Sequence, residues 1–207
     1  MSLVVGLLAA AIVAQAEAPS PYVQRLRWQA QIQTLNADLL SHNSATSVLQ
    51  SLCDRREPSA LRIRARRSEV TDPPEQMDEV RRALSARATD QVKHRRVELT
   101  CADVVLSRAD NWYLPGRLTP RMNAALDKTD TPFGVVVQEL GFQRRTLSAT
   151  LLFEPLPAGW ARQPAAALGE PVSVPPEVLR HRAVLQTSYG RAFSLLVETY
   201  TDAVLVP

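Results

Sequence analysis

Three side chains stand where a charge is costly unless something answers it. Arg117 sits in Asn111-Trp112-Tyr113-Leu114-Pro115-Gly116-Arg117-Leu118-Thr119-Pro120, among aromatic and apolar neighbours. Glu198 sits in Leu195-Leu196-Val197-Glu198-Thr199-Tyr200, where strand alternation gives it apolar company on either face. Arg96 opens a strand-like stretch of comparable character. A charge removed from water needs a partner of opposite sign. Two partners are open. One is internal, an ion pair joining Arg96 or Arg117 to Glu198, which makes these residues structural. The other is a bound anion, because the guanidinium fork matches a carboxylate with two parallel hydrogen bonds. Other chemistries lack their motifs. The chain has no GxxxxGK, GxGxxG, HExxH or GxSxG, and His42, His94 and His181 are widely spaced. No metal and no organic cofactor is expected.

The elements that must position these groups follow from periodicity. Val23, Leu26, Ile32, Leu35 and Leu39 predict a helix over 21–41, and Ser44 predicts the cap of a second helix to about Leu52. Residues 60–67 alternate apolar with arginine, as a half-buried strand does. Asp72-Pro73-Pro74 breaks the chain before a polar helix over 75–88. Val97, Leu99 and Cys101 alternate with Arg96, Glu98 and Thr100, and Val104-Val105-Leu106 continues that strand. The segment 111–120 reads as extended, with Pro115 at an edge or a bulge. Thr119-Pro120 and Thr131-Pro132 each start a short helix. Residues 144–154 form a strand and 155–176 a proline-rich surface loop. Residues 182–187 and 192–200 flank Ser188-Tyr189-Gly190-Arg191, a hairpin turn. Helices early and in the middle, with hairpin-joined strands, predict an α+β fold: an antiparallel β-sheet with flanking helices.

Composition sets the class. The 207 residues, 45% hydrophobic and 22% charged, suffice for one globular domain with a core. A net charge of +3 is too mild to argue for nucleic acid. Residues 1–16, apolar from Leu3 to Ala14 and followed by Ala14-Gln15-Ala16, predict a secretory signal peptide cleaved near Ala16. No Lys or Arg precedes that run, and a buried N-terminal helix, hence a cytoplasmic protein, is the alternative. With the signal, the protein is periplasmic or secreted, without a membrane span after cleavage. Residues 17–92 then form a helical part with one strand, and 93–207 the sheet core, in one domain expected to be a monomer. Cys53 and Cys101 either pair in an oxidising compartment or remain two buried thiols.

Four blocks between residues 93 and 201 resemble the chorismate lyase family in order and spacing. They are Arg96-Val97-Glu98-Leu99-Thr100-Cys101-Ala102-Asp103, Leu114-Pro115-Gly116-Arg117, Thr131-Pro132-Phe133-Gly134 followed by Arg145, and the closing hairpin from Arg182 to Tyr200. The resemblance implies a chorismate lyase-like fold with an enclosed ligand pocket. It implies elimination of pyruvate from chorismate to leave 4-hydroxybenzoate. Arg96 would grip a substrate carboxylate and Glu198 would face the ring hydroxyl, both as catalytic groups. Arg117, Arg145 and Arg182 would add cationic contacts to a small aromatic or enolpyruvyl carboxylate. Two features depart from the family: the long loop over 155–176, and Tyr189-Gly190 in the turn. An exported lyase would also be separated from chorismate, which is made in the cytoplasm. A non-catalytic aromatic-acid-binding protein, and a structural protein with internal Arg–Glu pairs, are the alternatives.

Overall fold

A computed structural model describes residues 18–56, 62–68 and 77–205 of the chain. Six strands pair antiparallel throughout, in the order β1-β2-β3-β6-β5-β4. They are β1 (Arg64–Arg67), β2 (Lys93–Cys101), β3 (Val104–Tyr113), β4 (Gln143–Leu151), β5 (Glu177–Gln186) and β6 (Ala192–Thr201). Five helices accompany the sheet: α1 (Pro21–Ser41), α2 (Ala45–Arg56), α3 (Met77–Leu84), α4 (Pro120–Lys128) and α5 (Phe133–Val136). The α+β antiparallel expectation holds, including the strand contributed by the N-terminal part. The predicted signal peptide lies outside the described residues. Among the described residues no helix is long and apolar enough to cross a membrane.

Local chemistry explains where the helices begin. The Ser20 hydroxyl accepts from the Val23 amide and Pro21 occupies the first turn of α1, where a missing N–H costs nothing. The Ser44 hydroxyl accepts from the Ser47 amide at 3.3 Å at the start of α2. Thr119 and Pro120 do the same work for α4. Pro115 behaves otherwise than expected. β3 ends at Tyr113, and Pro115–Arg117 forms one 3-10 turn, because the fixed φ of proline suits a turn better than a strand.

Strand pairing sorts side chains onto two faces. One face carries Arg95, Val97 and Leu99 of β2, Ala109 and Asn111 of β3, Leu196 and Glu198 of β6, His181 and Leu185 of β5, and Arg144 of β4. Helices α1 and α2 cover this inner face through Ile32, Leu39, Leu49 and Cys53, with Leu99 and Tyr200 beneath them. On the opposite face α3 packs Val80 and Leu84 over Trp112, Val184 and Leu195. Cys53 and Cys101 are bonded, with 5.7 Å between their Cα atoms, and tie α2 to β2. Sequence had left that pairing open. The cysteines meet because β2 carries Cys101 to the inner face, directly under α2.

Candidate functional site

The inner face is apolar except at its centre, where several polar groups converge. Arg144 Nη2 donates to Glu198 Oε2 at 2.6 Å, and the two side chains are 2% and 7% exposed. The Tyr200 hydroxyl, itself fully buried, lies 3.4 Å from the same oxygen. Burial opposes the charge on Arg144, but the Glu198 carboxylate outweighs it and holds the guanidinium pKa above its ordinary value. Burial, and then Glu198, push the Tyr200 phenol well up. His181 follows on the next strand. Its Nε2 meets Asn36 Oδ1 at 2.8 Å, and burial, then the Arg144 cation, depress its pKa to about 4.

Arg95 completes the set from β2. It is buried, and its nearest acceptors are the Thr129 and Thr131 carbonyls at 3.4 to 3.5 Å, long for hydrogen bonds. No carboxylate of the described residues lies within ion-pair distance of it. Burial, and then the Arg67 cation, lower its pKa, as expected of a cation without an answering anion. Arg95 Nε, Arg144 Nε and Asn111 Nδ2 are all buried donors without an acceptor. A native interior rarely leaves such groups unpaired.

These groups line one cavity of about 30 Å³, walled by Asn43, Ser44 and Thr46 on one side and Phe133, Gly134 and Phe142 on another. Ser44 caps α2 and Thr46 lies in its first turn. The opening amides of a helix lack intrahelical acceptors, and the helix dipole makes that end positive. Two guanidiniums, a helix N-terminus and an amide therefore face a single carboxylate. The balance favours an incoming anion. Asn43, Ser44, Thr46, Gly134 and Phe142 also line a second, open cleft of about 860 Å³. The cleft runs along α2 past Ser47, Gln50 and Ser51 to Arg62 and Arg64.

Of the residues expected at a site, Glu198 alone lies here. Arg96 shares the outer face with Asp110, 3.9 Å away. Arg182 is on that face too, 2.8 Å from Glu79 of α3, and Arg145 is exposed beside it. Arg117 lies apart, at the end of α3. It donates to the Leu84 carbonyl at 2.7 Å, to the Ser85 carbonyl at 3.0 Å and to the Ala192 carbonyl, with Asp90 at 3.5 Å. Its apolar company is explained from within: it satisfies the carbonyls that a helix C-terminus leaves over. Arg96, Arg117 and Glu198 do not converge. The residues missed are Arg95 and Arg144, each one position before an expected arginine. For Arg95 the signal was present, since it shares the strand phase of Val97, Leu99 and Cys101.

No family model matches the chain. Among solved structures, it is similar to a possible transcriptional regulator, YydK of Bacillus subtilis, at 12% identity and a TM-score of 0.43. That match covers 70% of this chain and 61% of the regulator, so the chain spans less than two thirds of that protein's length. It is also similar to the ligand-binding domain of a putative GntR-family transcriptional regulator of Bordetella bronchiseptica, at 20% identity and a TM-score of 0.42, covering 70% and 86% of the two chains. The triad on which the lyase reading stood is dispersed: Arg96, Arg117 and Glu198 each have a separate partner in a separate place. The expectation that the chain releases pyruvate from chorismate to give 4-hydroxybenzoate is therefore corrected. In sequence, the chain is 41% identical over 204 residues to the uncharacterized protein y4mC of Sinorhizobium fredii (strain NBRC 101917 / NGR234). That alignment takes in 96% of this chain and 85% of the relative, and the chain belongs to the y4mC family.

Proposed function

We propose that this protein is a binding module for a small organic anion. One observation carries the reading: Arg95 is buried beside a cavity with no carboxylate of the described residues to answer it, while neighbouring buried donors point into the same space. An uncompensated internal cation is expensive, so its retention argues for a partner supplied from outside.

Size decides which part of the ligand goes where. A dry cavity that holds benzene has roughly 150 Å³. At about 30 Å³ the inner cavity takes an acid head and little more. The cleft, at about 860 Å³, is within the range of small-molecule sites and takes the body. The acid group docks between Arg95, Arg144 and the first turn of α2. Glu198 keeps Arg144 oriented and offers one acceptor to a hydroxyl or amide of the ligand.

The Cys53–Cys101 disulfide, buried between α2 and β2, supports a place of work in an oxidising compartment, in keeping with the predicted signal peptide. N-terminal sequencing of exported material, with Glu17 as the expected first residue, tests that assignment.

A thermal-shift screen of short carboxylates and phosphate monoesters tests the binding reading. At least one class should raise the melting temperature of the wild type, and Arg95→Gln should remove the shift. Shifts that survive in Arg95→Gln would place the ligand elsewhere.

A further inference from the structure

The cavity and the cleft adjoin at one place, where the start of α2 faces the first turn of α5. Asn43, Ser44, Thr46, Gly134 and Phe142 border both spaces. Gly134 is the residue on the α5 side without a side chain, and its surroundings show why. A Cβ at that position would lie 3.2 Å from Ser44 Oγ and 3.2 Å from Thr46 Oγ1, and 3.7 Å from Thr46 Cβ. The two hydroxyls stand just beyond the point where any side chain at 134 would begin. The glycine is not held by a left-handed backbone, since its φ is outside that region. It is held by space alone.

We propose that Gly134 is a specificity-determining residue of the site, and that the neck it forms admits only a slim, unbranched linker between the acid head and the body of the ligand. This inference rests on the binding reading above. The chemistry of the walls describes the linker. Ser44, Thr46 and Asn43 offer hydroxyls and an amide on one side, and Gly134 and Phe142 offer backbone and a ring on the other. Beyond the neck, Ser47, Gln50 and Ser51 continue the hydrogen-bonding wall along α2. A chain with polar atoms along its length matches this path. A side chain at the fourth atom from the acid, one amide unit in, meets Thr46 and Gly134 directly.

Capped oligoglycines are suitable probes, because each ends in a carboxylate and extends by an unbranched amide unit. N-acetylglycine reaches the cavity alone, whereas N-acetyl-triglycine passes the neck into the cleft. Affinities of the full chain for both are measured by calorimetry or by ligand-observed NMR. In the wild type the longer probe binds more tightly, and its analogue with valine in place of the penultimate glycine loses that gain. Gly134→Ala reduces the ratio of long-probe to short-probe affinity by about tenfold. Thr46→Ala in the Gly134→Ala background restores part of the ratio, because it removes one of the two hydroxyls that the new methyl group meets. An unchanged ratio in Gly134→Ala, or equal binding of the valine analogue, overturns the neck while leaving the anion site standing. Failure of every probe to bind the wild type overturns both. Melting curves of unliganded variants separate misfolding from lost selectivity, and the double variant supplies the decision if Gly134→Ala is unstable alone.

Discussion

At the residue scale, burial makes each ionised group consequential. Arg144 and Glu198 are an internal pair, as one of the two sequence alternatives required, but Arg144 takes the place of Arg96 and Arg117. Removing one partner strands the other in a medium that solvates charge poorly. Arg144→Met should therefore cost about 3–5 kcal/mol, and adding Glu198→Leu should recover much of the loss. Urea denaturation of the single and double variants measures both. His181 gives a pH signature of determinable sign. Its ring is fully buried and its pKa is held near 4, against about 6.5 in the unfolded chain. Between those values the unfolded chain binds a proton that the folded protein refuses. The stabilisation is thus complete above about pH 6.5 and falls as pH drops toward 4, by about 3 kcal/mol in all. His181→Asn should flatten the stability profile across that window. A slope identical to the wild type would show that other groups govern it.

At the element scale, the placement of α2 matters most, because its first turn walls the cavity and its far end is bonded to β2. The closed loop spans 48 residues, for which chain entropy gives about 4 kcal/mol of stabilisation. Cys53→Ser should lower the urea midpoint accordingly and weaken ligand binding, since the two ends of α2 then share one anchor fewer. The β2–β3 turn makes a smaller and opposite prediction. Ala102 sits at φ 50°, where a Cβ crowds the backbone, and Ala102→Gly should stabilise by about 0.5–1 kcal/mol. The β5–β6 turn already has glycine at that task, Gly190 at φ 76°. Turn glycines, helix caps and the proline-rich loop were legible because their causes are local.

At the scale of the whole molecule, the sheet has two unequal faces. The outer face is an array of arginine and carboxylate pairs, joined by α3, and the inner face hides a few polar groups beneath α1 and α2. A ligand that binds only the folded protein stabilises all of it by mass action. At a concentration about a hundredfold above its Kd the gain should be about 2.7 kcal/mol, visible as a concentration-dependent melting temperature. A melting temperature that saturates at once, or a shift equal in Arg95→Gln, would mean that general salt effects are being read instead.

The sequence by itself determined the fold class, most helix starts, the strand alternation and the need of buried charges for partners, because these depend on neighbours within a few residues. It did not determine which arginine of each doublet turns inward. Arg95 and Arg96, like Arg144 and Arg145, differ by one position, and one position in a strand is the difference between core and solvent. The apolar phase of β2 identified Arg95. In β4 the positions around Arg144 and Arg145 alternate too weakly to choose, and there only the register with β5 and the buried partner Glu198 settled the side. The meeting of Cys53 with Cys101, the cavity between the start of α2, the sheet and α5, and the carbonyls that claim Arg117 belong to tertiary structure alone. They join segments far apart in the chain, whose approach is fixed by packing across the sheet and not by local propensity.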